Sequence, residues 1–198
     1  MLGVLTQNQL DDGRGSARIH LFRYPHEIQS GRTSSVGMEI LGLDEKGEII
    51  RPNLHHTSLQ NAANVNHTLG EKQVKAWTQI INKASKFISF SDLAGHERYF
   101  KTTTFGITGS DPHYIQLIVG ANQGMIGMSK EHLGIALALH LPVYIIVTKI
   151  DRAPTNVLEN TISTLIKILK SPGCRKLPLL VKSERDVFTS ASTFVSER

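Results

Sequence analysis

Short runs of apolar and β-branched residues alternate along the chain with segments whose apolar residues recur every three or four positions. Lys86 to Asp92 (KFISFSD), Tyr114 to Gly120 (YIQLIVG) and Val143 to Lys149 (VYIIVTK) read as strands, and Leu177 to Val181 (LPLLV) as a fourth. Continuous apolar runs of that length suit strands covered on both faces. Between them, SKEHLGIALALH (residues 129–140) predicts a helix with Ser129 as N-cap and Glu131 in its first turn. Residues 155–170 place Leu158, Ile162, Leu165 and Leu169 on one helical face, and Ser171-Pro172-Gly173 ends that helix. The alternation of strand and helix predicts an α/β fold built on a mainly parallel sheet with helices on both faces.

Upstream the pattern changes. MEILGL and EIIR flank Asp44-Glu45-Lys46-Gly47, which predicts an antiparallel hairpin. The following stretch, Arg51 to Gly70, is rich in Asn and His and poor in apolar residues, so it reads as an exposed loop or insertion. His55, His56 and His67 lie in it without the fixed spacing of metal ligands, which favours a solvated loop over a metal site.

Composition narrows the class without naming a function. The chain has 198 residues, 40% hydrophobic and 20% charged, a balance that excludes a fully disordered or collagen-like chain. The length suits one domain, and no internal repeat or second domain is evident. The lone cysteine, Cys174, cannot staple the fold, which points to a reducing compartment and a cytoplasmic protein. MLGVLTQNQL lacks the basic lead and apolar length of a secretory signal. The longest apolar stretch, Leu133 to Val147, is interrupted by His140 and Pro142 and is too short to span a bilayer, so no membrane association is expected. A formal net charge of +5 favours polyanions such as RNA, though an ordinary basic surface carries it equally well.

Three segments carry candidate chemistry. Asp92-Leu93-Ala94-Gly95-His96 follows directly on a strand, where open α/β sheets bind ligands, and Gly95 lets a backbone N–H approach a phosphate oxygen. Alone, this D-x-x-G fits an ordinary strand-end turn just as well. Thr148-Lys149-Ile150-Asp151 follows a second strand at the same expected edge of the sheet. A carboxylate at Asp151 can accept from both the N1–H and the exocyclic amine of guanine, a donor pair that adenine lacks. The Lys149 stem can lie across the purine face. Ser30 to Ser35 precedes the hairpin, and its Thr33 hydroxyl is a candidate Mg²⁺ ligand, although standing alone the segment reads as a polar loop with no ligand.

In this order, HEIQSGRTSS, DLAGHERY and TKID resemble the GTP-binding domain of translational GTPases related to elongation factor Tu. LGVLTQNQLDDGRGSAR, HEIQSGRTSSVG, DLAGHERYFKTT, SKEHLGIALAL and LKSPGCRK resemble the GTP-binding protein 1 and 2 family of translational GTPases throughout, apart from residues 51–70, which form a longer insertion. The resemblance implies a P-loop NTPase-type G domain that hydrolyses GTP with Mg²⁺. It implies one domain over residues 1–198, with switch I at about 26–37 and switch II at about 92–105. Thr33 would ligate Mg²⁺ and sense the γ-phosphate, and Asp92 would hold Mg²⁺ through water. Gly95 would bind the γ-phosphate, and His96 would orient the attacking water. Thr148, Lys149 and Asp151 would form the guanine loop, Thr148 standing where Asn is usual. The ribosome and aminoacyl-tRNA or another RNA are the implied partners.

One family element is missing from these residues. No G-x-x-x-x-G-K-[ST] occurs, and Gly13-Arg14-Gly15 is not followed by Lys-Ser or Lys-Thr. By the resemblance, Met1 to Thr6 falls in the helix after the phosphate loop. The expectation is therefore a partial G domain, without the first strand and phosphate loop and inactive alone. The alternative is a short non-catalytic interaction module.

Overall fold

The computed structural model describes residues 1–7, 10–51 and 65–196. The chain divides into two compact units, Met1–Ser110 and Asp111–Arg198.

The first unit is organised by β1 (Gly37–Leu43), which pairs antiparallel with β2 (Ile49–Ile50) on one side and β3 (Lys86–Asp92) on the other. The β1–β2 hairpin forms where the sequence predicts it. Asp44 closes its turn: its carboxylate accepts from the Lys46 and Glu48 N–H groups at 2.9 and 2.8 Å, and Gly47 supplies a left-handed residue at φ 82°. The β1–β3 ladder runs through seven pairs, from Gly37↔Asp92 to Leu43↔Lys86. It places the start of β1 beside the end of β3.

Helices α1 (Leu2–Gln7), α2 (Ser16–Ile19) and α3 (Pro25–Ser30) precede β1. Helix α4 (Val65–Lys83) crosses the sheet, burying Ala76 and Ile80. This corrects the expected loop over residues 51–70, because residues 65–70 open α4. The composition there is polar, but a helix 19 residues long is held by its apolar C-terminal half. His55 and His56 lie outside the described residues. Helix α5 (Phe100–Ser110) follows β3 and buries Thr103, Gly106 and Ile107.

The second unit contains the parallel pair β4 (Ile115–Gly120) and β5 (Val143–Thr148), in register from Ile115↔Val143 to Gly120↔Thr148. Helix α6 (Gly127–Ala138) joins them, and α7 (Thr155–Lys170) and α8 (Glu184–Ser196) follow. Leu117, Val119, Leu133 and Leu165 form the core, with Val143, Ile145, Val147 and Cys174 packed against it. Helix α6 begins two residues before the expected cap. Its N-cap is Ile126, with no side-chain bond, and Ser129 lies inside the first turn. Helix α7 has its predicted bounds.

The expected fourth strand is absent among the described residues. Residues 175–182 have no regular structure, and Leu177 remains 81% exposed. Pro178 has no N–H to give a ladder, and Arg175 turns the chain at φ 50°. Leu180 instead lines a cleft with Ile162 and Ile166 of α7. Among the described residues no helix is long and apolar enough to cross a membrane.

Gly42 marks the tightest packing over β1. A Cβ there would lie 2.4 Å from the Ile80 Cγ2 atom and 3.2 Å from the Ala84 Cβ atom. Gly42→Ala is expected to lower stability by about 1–3 kcal/mol, the usual range for overpacking a core. Urea unfolding of parent and variant checks this, and an unchanged midpoint would show that α4 does not press on the sheet.

Candidate functional site

The chain enters the site of the first unit through an acidic turn. The Asp11 carboxylate accepts from the N–H groups of Gly13, Gly15 and Ala17 at 3.0 to 3.2 Å. Asp12 accepts from Arg14 and Ser16 at 2.8 and 3.3 Å. In a phosphate-binding loop such N–H groups face an anionic ligand. Here the chain's own carboxylates satisfy them, so Gly13 to Ala17 is not a phosphate cradle. The turn starts α2 and so positions Arg18. That guanidinium sits over the Phe22 ring at 5.2 Å and donates to the Thr33 hydroxyl at 3.3 Å.

Thr33 and Asp92 come together because β1 and β3 pair. Thr33 lies four residues before β1 and is buried; Asp92 ends β3, opposite Gly37. Burial pushes the Asp92 carboxyl above its ordinary value, while the Arg18 charge and a hydrogen bond with the Thr33 hydroxyl pull it back. Glu39, on the same sheet, is pushed by burial up to about 7, against the Arg23 charge and with the help of Asp92. Two hard oxygen donors therefore adjoin in a locality crowded with carboxylates. That donor set fits Mg²⁺, which favours one or two protein oxygens completed by phosphate and water. Among the described residues no three His, Cys, Asp or Glu side chains gather, so a cation here would take its remaining ligands from outside the protein.

The segment carrying Thr33 is held by Glu27, the most deeply buried charged residue described. Its Oε2 atom accepts from the Arg23 and Tyr24 N–H groups at 2.8 and 3.1 Å. Its Oε1 atom accepts from the N–H and hydroxyl of both Ser34 and Ser35, at 2.6 to 3.0 Å. Burial alone would raise this carboxyl, but the bonds from Ser34, Arg23 and Tyr24 outweigh it and hold the carboxyl at about 2. Sequence reasoning missed Glu27, Arg18 and the two aspartates. A signal for Glu27 was present: Pro25 at the first position of α3 with Glu27 at the third is a helix-start pattern.

Beyond β3 the chain turns through Leu93 and Ala94 into Gly95 and His96. Thr103 of α5 donates to the Ala94 carbonyl and fixes the turn. Gly95 is exposed, with nothing within 4 Å of a Cβ built on it, so its backbone is open to a ligand. The His96 Nδ1 atom accepts from the Arg98 N–H at 3.2 Å, and its ring tilts against Tyr99 at 6.3 Å. This bond occupies Nδ1 as an acceptor and leaves Nε2 for another partner. His26, Gln29, Ser30, Arg98 and Tyr99 line one shallow cleft, so the segments expected as switches I and II adjoin.

The second unit holds the other motif at the carboxyl end of β5. Lys149 adopts a left-handed conformation, φ 57° and ψ 35°, and Ile150–Arg152 forms a 3₁₀ turn that presents Asp151. Both Lys149 and Asp151 are exposed. The loop is tied to the sheet by the Ala121 N–H donating to the Thr148 carbonyl at 2.8 Å. The Thr161 hydroxyl of α7 donates to Ala121 at 3.0 Å. The Thr148 hydroxyl reaches the Val119 carbonyl at 3.4 Å. A Cβ on Gly120 would lie 3.1 Å from the Asn122 Oδ1 atom and 4.0 Å from the Lys149 Cδ atom, so the Lys149 stem lies along the end of β4.

Comparison with known proteins gives a consistent picture. The Elongation factor Tu GTP binding domain family matches residues 11–194. The chain is 53% identical to "GTP-binding protein 1" of Xenopus laevis over 199 aligned positions, covering all of this chain and 28% of that protein. It is 46% identical to "GTP-binding protein 2" of Homo sapiens, covering 98% of this chain and 29% of that protein. A "Selenocysteine-specific elongation factor" of Haemophilus influenzae is 34% identical over 82 residues, covering 41% of this chain and 13% of that protein. The chain thus spans less than a third of the length of the curated relatives it matches.

The Glu27 geometry has a pH consequence. Its folded value of about 2 lies below the ordinary 4.5, so its contribution is fully present above pH 4.5 and is lost as pH falls through about 2. Glu27→Gln is therefore expected to be less stable than the parent by a constant margin near neutrality, and the margin should shrink in acid. Urea midpoints of both proteins across this pH range check the expectation; a margin independent of pH would contradict it.

Proposed function

This chain belongs to the family of elongation factor Tu GTP-binding domains, and on that basis we propose that it forms the GTP-hydrolysing switch of a translational GTPase. The observation that carries the reading is the meeting of Thr33 with Asp92 beside the open Gly95-His96 turn. Thr33 and Asp92 would hold Mg²⁺. When bound, that ion would supply charge neutralisation on the transferred phosphate. The Gly95 N–H binds the γ-phosphate, and His96 orients the attacking water rather than deprotonating it. Positioning and charge neutralisation provide most of the catalysis in such a transfer, so an orienting hydrogen bond from His96 suffices.

Base recognition belongs to the second unit. The exposed Asp151 accepts from guanine N1–H and the exocyclic amine, and the Lys149 stem covers the purine face. Thr148 supports the loop in place of the usual Asn, through its own bond to Val119. No G-x-x-x-x-G-K-[ST] lies within residues 1–198, so the phosphate-cradling lysine is not among the contacts assigned to them. The ribosome and aminoacyl-tRNA or another RNA are the partners this reading implies, and the +5 charge is compatible with them.

Two substitutions in the full-length protein separate base reading from chemistry. Asp151→Asn is expected to weaken GTP binding and shift preference toward xanthosine triphosphate, measured by competition among GTP, ATP and XTP. If ATP competes as well as GTP in the parent, the guanine assignment fails.

His96→Ala is expected to leave nucleotide affinity nearly unchanged and slow ribosome-stimulated hydrolysis by about 10²-fold, from lost water positioning. Single-turnover phosphate release with ribosomes present reads this directly. Equal stimulated rates would remove His96 from the mechanism.

A further inference from the structure

Glu27 touches none of the atoms assigned to nucleotide, yet it gathers more hydrogen bonds than any other described side chain. Its two oxygens serve different elements. Oε2 closes the start of α3 through Arg23 and Tyr24, and Oε1 takes four donors from Ser34 and Ser35, across the left-handed Gly31 that ends the helix. The Ser34 N–H, at 2.6 Å the shortest of these bonds, belongs to the peptide that joins Thr33 to Ser34. Fixing that peptide plane fixes the backbone from which the Thr33 side chain projects. Thr33 is left with a buried hydroxyl that meets Arg18 on one side and Asp92 on the other.

We propose that Glu27 is a positioning residue that sets the preference for GTP over GDP, by clamping the Ser34-Ser35 segment to α3 so that Thr33 is preorganised to sense the γ-phosphate. The inference rests on the GTPase reading given above. A clamp built from the chain's own carboxylate orders the segment before nucleotide arrives, so less ordering is left for the γ-phosphate to drive. GDP offers no γ-phosphate for Thr33 to sense, so its affinity should be indifferent to the clamp.

Substitution separates this role from general stability. A glutamine at this position keeps the volume but replaces one carboxylate oxygen by an NH₂ group, which cannot accept from either cluster of donors. An aspartate keeps the charge but is one methylene shorter and cannot reach both clusters. The double variant Ser34→Ala, Ser35→Ala removes two hydroxyl donors and leaves both N–H groups, so it loosens the clamp without a buried unpaired charge.

The test is made in the full-length protein with GTP and GDP as probes and Mg²⁺ present. Hydrogen exchange at the Ser34 and Ser35 amides is measured without nucleotide. Glu27→Gln is expected to lose protection at those amides and to reduce the ratio of GTP to GDP affinity by about tenfold or more, as removal of a charged hydrogen bond allows, with GDP affinity retained. The serine double variant should move the ratio the same way by less, and serves where Glu27→Gln does not fold. Equal loss of both nucleotides, or an unchanged ratio, overturns the proposal, as does an absence of amide protection in the parent. Failure of the parent to bind guanine nucleotides would sink the GTPase reading and the sensing role with it. Binding by the parent with an unmoved ratio would sink only the role of Glu27.

Discussion

Antiparallel pairing of β1 with β3 is the constraint on which the first unit depends. Seven pairs in fixed register leave no freedom to slide, because a one-residue slip would turn every side chain to the opposite face. The ladder ends at Gly37↔Asp92. Whatever precedes β1 is therefore delivered beside whatever follows β3, although the two segments are far apart in sequence. Thr33 meets Asp92 for this reason, and the Gly95-His96 turn adjoins α3 for the same one. Gly37 suits the junction: a Cβ there would approach the Asp92 Cβ at 3.4 Å, the edge of ordinary contact.

The carboxyls near that junction are desolvated to different effect. Asp92 lies within electrostatic reach of both Glu27 and Glu39, and the surroundings of the three carboxyls differ. Glu27 is desolvated yet saturated with hydrogen bonds, and stays ionised. Glu39 and Asp92 are desolvated with less compensation, and their carboxyls rise. The chain supplies Arg18 as a partial counter-charge, aimed by the Asp11-Asp12 turn. Removing charges from water is costly unless they are paired. Here Arg18 offsets that cost for Asp92 only in part, since the carboxyl still lies above its ordinary value.

Much of the fold was legible because apolar runs report burial. Lys86 to Asp92, Tyr114 to Gly120 and Val143 to Lys149 appear as strands within a residue of the expected ends, and the Asp44 to Gly47 turn declared the hairpin. The readings that failed were those in which composition stood in for contacts. Leu177 to Val181 is apolar enough for a strand, but Pro178 and the left-handed Arg175 keep it irregular. Residues 65–70 are polar enough for a loop but continue into a helix anchored further on. Motifs singled out Thr33, Asp92 and Lys149 as candidates because fixed chemistry needs fixed residue types. Glu27 was invisible to that approach, since its importance lies in six donors contributed mostly by backbone, which any sequence possesses.

The second unit solves a different problem, that of holding an exposed loop still. Lys149 is a non-glycine residue in the left-handed region, a conformation that costs on the order of 1–3 kcal/mol and persists only where neighbours enforce it. Those neighbours are identifiable. The peptide before Lys149 is pinned by the Ala121 N–H, and Ala121 is fully buried and pinned in turn by Thr161. Helix α7, whose face packs on the core through Leu165, thus supports the loop through two successive hydrogen bonds. Thr148 adds a third, longer bond to Val119. The strain is carried by core packing, so Lys149 and Asp151 can remain exposed without being loose. The Thr148 side chain is therefore one support among several, and its bond is the longest of them.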